Sequence, residues 1–434
     1  MSPSRTSTNG RPAFPIDRRL IAVGLFAGAA VGAWVGGKTR TMTGNERATG
    51  LIDWEQARGI AINMNRGATL TAPERERLDE YYRGLVSRCI PIVAEYTGTA
   101  LPPTLERTFA FDRVDWVNAN LDAFERMFAP LEVLNARNDK DARTTVASVL
   151  WGGLNQTVLS AELGLLLGYL ARRVLGQYDL ALLGREPVTT GKLYYVEPNI
   201  RAVERTLGLP TQDFRMWLAL HETTHAFEFE AHPWLRDHFN GLLDTYFEFL
   251  NEDAERLKQG GVKGLRLFVD RARNREGSEG SWLEALMTPQ QRVLFNQMQA
   301  TMCMVEGYSN HVMNAVGRGL LPTYDEIAHK FEQRQRQRSF AEQLFARLTG
   351  LNVKMEQYRL GEAFINRVAD ERGHAFVRRI WDGAEFLPTM DEIRDPARWI
   401  ARIDGGQATS PELQAASPPF LGQGDLGVDA GSPA

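Results

Sequence analysis

The stretch that decides the fold is residues 221–234, which read HETTHAFEFEAHPW. It contains the pattern His-Glu-x-x-His, formed by His221, Glu222 and His225. On a helix, residues four apart lie on one face, so both imidazoles can reach the same ion. Glu222 follows the first histidine and can reach a water molecule on that ion. The pattern therefore predicts a helix with two zinc ligands and a general base.

The third ligand is not given by this pattern. A downstream histidine of the HExxHxxGxxH type needs glycine at 228 and histidine at 231, where the chain has Glu228 and Ala231. His232 comes one residue late, and Pro233 after it indicates that the helix is ending. Glu228 lies on the same face as His225 but within one turn of it, which favours a supporting or surface position over that of a ligand.

A better candidate for the third ligand is Glu306, in MCMVEGYSNHVM (302–313). A carboxylate inside such an apolar helix is costly unless it is paired or bound to a metal. The run beginning Glu-Gly resembles the glutamate helix of gluzincin-type zinc peptidases. Asn310, one turn later, is a candidate to fix the tautomer of a histidine ligand. His311 and Tyr308 are candidate donors to the transition-state oxyanion, with packing or surface positions as the alternative.

Composition limits the other classes of function. The chain has 434 residues, 43% hydrophobic and 24% charged, with a net charge of −4. This suits a globular protein with a sizeable core and gives no indication of nucleic-acid binding. The two cysteines, Cys89 and Cys303, are too few for a disulfide framework and fit a reducing compartment. A metal site must therefore use histidine and carboxylate ligands, and we expect Cys303 to be a buried, inert thiol.

Hydrophobic periodicity predicts a mostly helical chain from about 48 to 405. Helices are expected at 72–98, at 113–136 with Pro130 ending or kinking it, at 146–176, from Thr211 onwards, and from Thr288 to Gly317. One segment, KLYYVEPNI (192–200), predicts a strand. We expect that strand to form an exposed edge beside the cleft, where an extended peptide could add to the sheet and Pro198 would be tolerated.

The chain is expected to divide into five parts. Residues 1–19 and 405–434 have the composition of a disordered leader and tail. Residues 20–37 form an uncharged run with glycine at every fourth position, which favours a membrane helix over a secretory signal or a packed leader. An N-terminal helical region is expected at 48–185 and a zinc-binding catalytic region at 190–404. The protein would then be membrane-associated through 20–37, or cytoplasmic.

Several separate motifs together resemble one family. They are RRVLGQYD (172–179), GKLYYVEPNIRAVER (191–205), FRMWLALHETTHAFEFEAHPWLRD (214–237), VEGYSNHVM (305–313) and LTGLNVKMEQYRLGEAFINRV (348–368). The family is that of the zincin-like zinc metallopeptidases found mainly in actinobacteria and relatives. Some of its members are labelled as associated with deazaflavin-coenzyme biosynthesis. The resemblance extends from about Asp53 to Arg402.

The resemblance implies a mainly α-helical, gluzincin-type fold with a small strand element at the cleft. It implies zinc on His221, His225 and Glu306, with Glu222 catalytic. The resemblance does not identify a physiological substrate. The label that mentions deazaflavin-coenzyme biosynthesis comes from genomic co-occurrence and implies no mechanism.

The expected function is therefore that of a zinc-dependent metallopeptidase acting on a peptide or protein. Two alternatives stay open, which are a zinc hydrolase of a non-peptide amide and a non-catalytic helical protein at the membrane. The presence of Glu222 argues against the second alternative, because a structural zinc site needs no general base.

Overall fold

A computed structural model gives the fold. The residues it describes are 52–67, 69–100, 107–138, 156–178, 192–246, 248–249, 288–336 and 351–406. The predicted leader (1–19), the predicted membrane helix (20–37) and the tail beyond 406 lie outside these ranges. Within them, no helix is both long and apolar enough to cross a membrane. The membrane helix at 20–37 therefore stays a prediction.

Helices dominate the described residues. They are α1 Trp54–Met64, α2 Ala72–Thr97, α3 Arg113–Asn138, α4 Gln156–Leu170, α5 Glu197–Leu207, α6 Thr211–Glu230, α7 234–246, α8 Pro289–Leu320, α9 Tyr324–Arg336, α10 Leu351–Arg372, α11 His374–Val377, α12 Met390–Arg394 and α13 Pro396–Asp404. Two short 3-10 turns, Arg378–Trp381 and Ala384–Phe386, lie between α11 and α12. The prediction of a mainly α fold is confirmed.

Helix α8, which carries Glu306, begins where the sequence predicts. Thr288 Oγ1 accepts a hydrogen bond from the Gln291 backbone N–H, and Gln291 Oε1 accepts one from the Thr288 N–H. This reciprocal pair satisfies two backbone donors that the first helical turn leaves open. The helix continues beyond Gly317, where the Tyr324 ring occupies the space that a side chain would fill.

The described strands form one three-stranded sheet in the order β1-β3-β2. Their bounds are β1 Arg107–Phe111, β2 Gly176–Tyr178 and β3 Lys192–Val196. β3 is parallel to β1 and antiparallel to β2. The predicted strand at 192–200 is therefore real but short, and it is the central strand of the sheet. The expectation that it forms an exposed edge is wrong, and Pro198 lies in the first turn of α5.

Two predicted helices differ from the observed ones. The helix expected at 146–176 is described from 156 and ends at Leu170, where a turn leads to β2. Residues 171–176 of the apolar run thus form a turn and the first residue of β2, which hydrophobicity alone does not separate from the helix. The second difference is at Pro130, which does not end α3, because the helix continues to Asn138; a kink at this residue stays a prediction.

A buried ionic network fixes α6, the motif helix, against its neighbours. Arg215 binds Glu197 (Nη2 to Oε1, 2.8 Å) and Glu204 (Nε to Oε1, 2.6 Å), both on α5. The Tyr82 hydroxyl of α2 donates to Glu197 Oε2 at 2.6 Å, and its ring stacks on Tyr195 of β3 at 4.1 Å. Two helices, α2 and α5, and the central strand of the sheet are thereby held against α6.

The core consists of two hydrophobic clusters. The larger packs side chains of α2, α6, α8 and α10 together with the C-terminal turns, and includes Phe214, Phe227 and Trp399. The smaller joins α1, α3 and α4, with Trp116 and Leu167 as its largest members. Both helices that carry the predicted ligands belong to the larger cluster.

Candidate metal centre

Helix α6 brings the two motif histidines together. His221 and His225 lie one turn apart, and their Nε2 atoms are 3.2 Å from each other. Leu220, Ala226 and Phe227 beside them are buried, so the helix is anchored in the core on its apolar face. The burial keeps both imidazoles in one orientation toward α8.

Glu306 completes a group of three potential ligands. Its Oε2 atom lies 3.7 Å from His225 Nε2, and one ligand atom from each of Glu306, His221 and His225 lies within 4.8 Å of the others. Among the described residues, this is the one cluster of three or more histidine, cysteine or acidic side chains close enough to share an ion. The structure therefore unites the three residues predicted to bind zinc.

Hydrogen bonds at the far side of each ring fix the tautomers. His225 Nδ1 lies 2.9 Å from Glu228 Oε2, and the tautomer with its proton on Nδ1 would donate to that oxygen. His221 Nδ1 lies 3.1 Å from Ser309 Oγ, whose own hydroxyl donates to the His221 carbonyl at 3.5 Å. With its proton on Nδ1, His221 would donate to Ser309 Oγ, and Met313 Sδ lies 3.0 Å from the same nitrogen. Both Nε2 atoms are left with lone pairs that point toward Glu306 and each other.

These orienting residues differ from the predicted one. Asn310 was expected to hold a ligand histidine, whereas Glu228 and Ser309 occupy those positions. Glu228 is fully buried behind His225 and not at the surface, and its Oε1 has no hydrogen-bond partner among the described residues. Burial, together with the charge of Glu306, raises the pKa of Glu228 well above its usual value.

The pKa values of the imidazoles favour metal binding. Burial lowers the pKa of His221 to about 3, with a contribution from the neighbouring His225, and lowers that of His225 to about 4. Both rings are therefore neutral at neutral pH, which is the form that ligates metals.

The donor set fits zinc. The two Nε2 atoms lie 3.2 Å apart, and with both rings protonated on Nδ1 their lone pairs would face each other, an arrangement that a shared cation stabilises. Tetrahedral zinc with bonds of about 2.0–2.1 Å places two nitrogen ligands about 3.3–3.4 Å apart. Two neutral imidazoles and one carboxylate are also a ligand set that catalytic zinc sites use.

Glu222 lies on α6 beside His221 but outside the ligand group. Its side chain is buried, and its carboxylate contacts the backbone of Gly176 in β2. Its charge also adds to the effect of burial in raising the pKa of Tyr195, so it lies near that hydroxyl in β3. The carboxylate is therefore placed between α6 and the β2–β3 pair.

His311 has partners away from the three ligands. Its Nδ1 lies 2.6 Å from Asn366 Oδ1, and its Nε2 lies 2.8 Å from the Tyr96 hydroxyl and 3.4 Å from His374 Nδ1. These contacts connect α8 to α2, α10 and α11. The oxyanion role of His311 stays a prediction, because none of these contacts tests it.

The remaining candidates take packing positions. The Tyr308 ring packs edge-on against Trp381 and is buried, and its oxyanion role also stays a prediction. His232 stacks on Trp381 with its Nδ1 at 3.0 Å from the Glu228 carbonyl oxygen, outside the ligand group as predicted. Cys303 is fully buried, as predicted, and burial raises its pKa to about 12.

Comparison with known proteins agrees with this geometry. Residues 52–400 match the family model of the zincin-like metallopeptidases. A crystal structure from Chloroflexus aurantiacus, described as that of a proposed hydrolase with a novel fold, is similar with a TM-score of 0.59 and 40% identity. The match covers 81% of this chain and 99% of that one. No curated protein matches the chain.

The fold and the site together define a zincin-like protein with a His-His-Glu group that could hold a metal. The chain belongs to the zincin-like metallopeptidase family. Neither match bears on the deazaflavin label that the resemblance carried.

Proposed function

We propose that the protein is a zinc-dependent peptidase. The observation that carries this proposal is the convergence of His221, His225 and Glu306, with Glu222 on the same helix as the two histidines. Membership of a metallopeptidase family supports the reaction class. The proposed ligands are these three side chains, and the proposed general base is Glu222.

Each residue of the proposed site has its own role in peptide hydrolysis. A zinc ion held by the three ligands would polarise the scissile carbonyl and lower the pKa of water to about 7. The Glu222 carboxylate accepts the proton of the attacking water and delivers it to the leaving nitrogen. Glu228 and Ser309 hold the imidazoles with their Nε2 lone pairs toward the site.

The outer edge of β2 supports a peptide as substrate. The Val196 N–H donates to the Leu175 carbonyl at 2.8 Å, so residue 175 faces β3. Because neighbouring residues of an antiparallel strand face opposite sides, the main-chain groups of Gly176 and Tyr178 point away from β3. Within the described residues, no strand pairs with that side of β2. An extended peptide could add there, next to Glu222.

The test uses the full chain with zinc, fluorescein-labelled casein and a library of quenched fluorescent peptides. We expect metal-dependent cleavage in the wild type. Glu222→Gln should keep its zinc and lose turnover, and Glu306→Ala should bind zinc at least about tenfold more weakly. Glu95→Gln, the same chemical change at an exposed position on α2, is the matched control. Undiminished turnover in Glu222→Gln would contradict the mechanism.

The same experiment separates the peptidase from the alternative amide hydrolase. Cleavage confined to small non-peptide amides, with the same dependence on Glu222, would favour the alternative. Location is a separate proposal. We expect the full chain to sediment with membranes through residues 20–37, and a chain without residues 1–47 to remain in the supernatant.

A further inference from the structure

Strand β2 lies directly against the carboxylate of Glu222. A methyl group at Gly176 would lie 2.4 Å from Glu222 Oε1, 2.6 Å from Cδ and 2.8 Å from Cγ. All three separations are below the closest approach of real side-chain carbons, 3.0 Å. With Glu222 in its present position, there is therefore no room for a side chain at residue 176.

This contact differs from those of Gly164 and Gly361, which lie where helices cross. At Gly164 and Gly361 an added methyl group would meet backbone atoms, which cannot move without shifting a helix. At Gly176 the three nearest atoms all belong to one side chain, that of Glu222. A side chain at 176 would therefore displace the carboxylate before it displaced the fold.

The strand is itself held firmly in place. Gly176 lies opposite Tyr195 in the β2–β3 register, and Tyr195 is fully buried and stacked on Tyr82. The neighbouring Gln177 accepts a hydrogen bond from the Trp116 indole at 2.7 Å. β2 is therefore anchored on both sides of the contact with Glu222.

We propose that Gly176 is a positioning residue for Glu222. The Glu222 carboxylate packs against the backbone of Gly176, and this contact sets the direction in which Glu222 accepts a proton. The catalytic consequence rests on the proposed function, whereas the contact between strand and carboxylate does not. The two are therefore tested separately.

The contact is tested by melting temperatures of the full chain in a double-mutant cycle. Gly176→Ala is made in the wild type and in a Glu222→Ala background. We expect a fall of a few degrees in the first background and none in the second, where the obstructing side chain is gone. An equal fall in both backgrounds would show that the methyl group meets something else, and would overturn the proposal.

The catalytic consequence is tested on the same casein and peptide probes. We expect Gly176→Ala to keep its zinc content, lower kcat by about 10–100-fold and leave KM within about twofold, because a small displacement of a reacting group costs this much. Gly59→Ala and Gly84→Ala, where an added methyl group meets nothing within 4 Å, are controls with unchanged kcat. In a Glu222→Asp background, the effect of Gly176→Ala on kcat should shrink.

The outcomes are distinguishable. If the zinc-loaded wild type cleaves no probe, the proposed function fails, and the melting cycle alone decides whether Gly176 positions Glu222. If Gly176→Ala melts like the wild type, its kcat decides whether Gly176 positions Glu222. A lower kcat would then show that the Glu222 side chain has moved to admit the methyl group. Unchanged melting together with unchanged kcat would overturn the proposal.

Discussion

Each predicted zinc ligand of α6 is oriented by a different kind of side chain. His225 donates to the buried carboxylate of Glu228 on its own helix, and His221 donates to the hydroxyl of Ser309 on α8. When zinc is bound, its positive charge favours the ionised form of Glu228, and an anionic acceptor raises the basicity of the imidazole more than a hydroxyl does. Glu228 should therefore contribute to metal affinity as well as to orientation.

We predict that Glu228→Gln weakens zinc binding by about 10–100-fold, since the amide keeps the volume and an acceptor oxygen but loses the charge. The affinity is measured by competition with a chromophoric chelator. Asn310→Ala is the control and should change affinity by less than about twofold, because neither imidazole hydrogen-bonds to Asn310. Equal losses in the two variants would contradict this assignment.

His311 makes the protein sensitive to acid. Burial lowers its pKa, and the charge of His374 adds to the lowering, whereas the Asn366 hydrogen bond and Asp370 oppose it. The folded chain thus keeps this ring neutral at a pH where the unfolded chain, with an ordinary pKa of about 6.5, takes up a proton. Its contribution to stability is present above pH 6.5 and is lost as the pH falls toward the lowered value.

We therefore expect the free energy of unfolding to decrease between pH 7.5 and 5, and to decrease less in His311→Gln. Each pKa unit of lowering corresponds to about 1.4 kcal/mol. Urea unfolding in the presence of a chelator measures this without interference from metal binding. His329→Gln, at an exposed position on α9, is the control that should keep the wild-type pH dependence. An unchanged slope in His311→Gln would assign the acid sensitivity to other groups.

At the scale of elements, the crossing of α8 and α10 depends on two glycines. A methyl group at Gly361 would lie 2.0 Å from the Cys303 carbonyl oxygen, and one at Gly307 would lie 2.4 Å from the Gly361 carbonyl carbon. Both obstacles are backbone atoms. Because Gly307 directly follows Glu306, this close approach of the two helices also sets the position of the third ligand.

Gly361→Ala should reduce stability by about 1–3 kcal/mol, because the helices must separate to admit the methyl group. Zinc affinity should fall in parallel as Glu306 shifts with α8. Denaturant unfolding and chelator competition report the two effects. Gly319→Ala is the control. It lies on α8 with nothing within 4 Å of the added methyl group, and it should reduce neither stability nor zinc affinity.

The same elements show how far the sequence could predict the structure. The start of α8 was predictable because Thr288 and Gln291 form a local capping pair, and a local motif needs no knowledge of the rest of the fold. The central position of β3 was not predictable, because β1 and β2 come from distant parts of the chain. Strand order depends on such long-range pairing, which no local pattern encodes.

Some residues of the candidate site were likewise predictable from the sequence, and others were not. His221, Glu222 and His225 follow from one motif, and Glu306 from the cost of a carboxylate among apolar residues. Ser309 could have been found, since it lies one turn after Glu306 on the same face. Gly176 could not, because its contact with Glu222 exists only once β2 is placed over α6.

At the scale of the molecule, the proposed zinc site joins two helices that are far apart in sequence. α6 supplies two ligands and α8 the third, and both helices pack into the larger hydrophobic cluster. The unfolded chain cannot hold three such ligands together, so zinc should bind the folded state selectively. Metal binding must then stabilise the whole larger cluster, including α2 and α10.

We predict a higher melting temperature with zinc than with chelator. At free zinc 100 times the dissociation constant, the stabilisation is about 2.7 kcal/mol, which corresponds to a rise of several degrees in melting temperature. Scanning calorimetry of the full chain at increasing zinc concentrations measures the shift and its logarithmic dependence. Glu306→Ala, whose side chain is partly exposed and so can be truncated with little effect on packing, should melt at nearly the same temperature in zinc and chelator. A full zinc-dependent shift in that variant would place the ion elsewhere, since the site would then not need the ligand that α8 supplies.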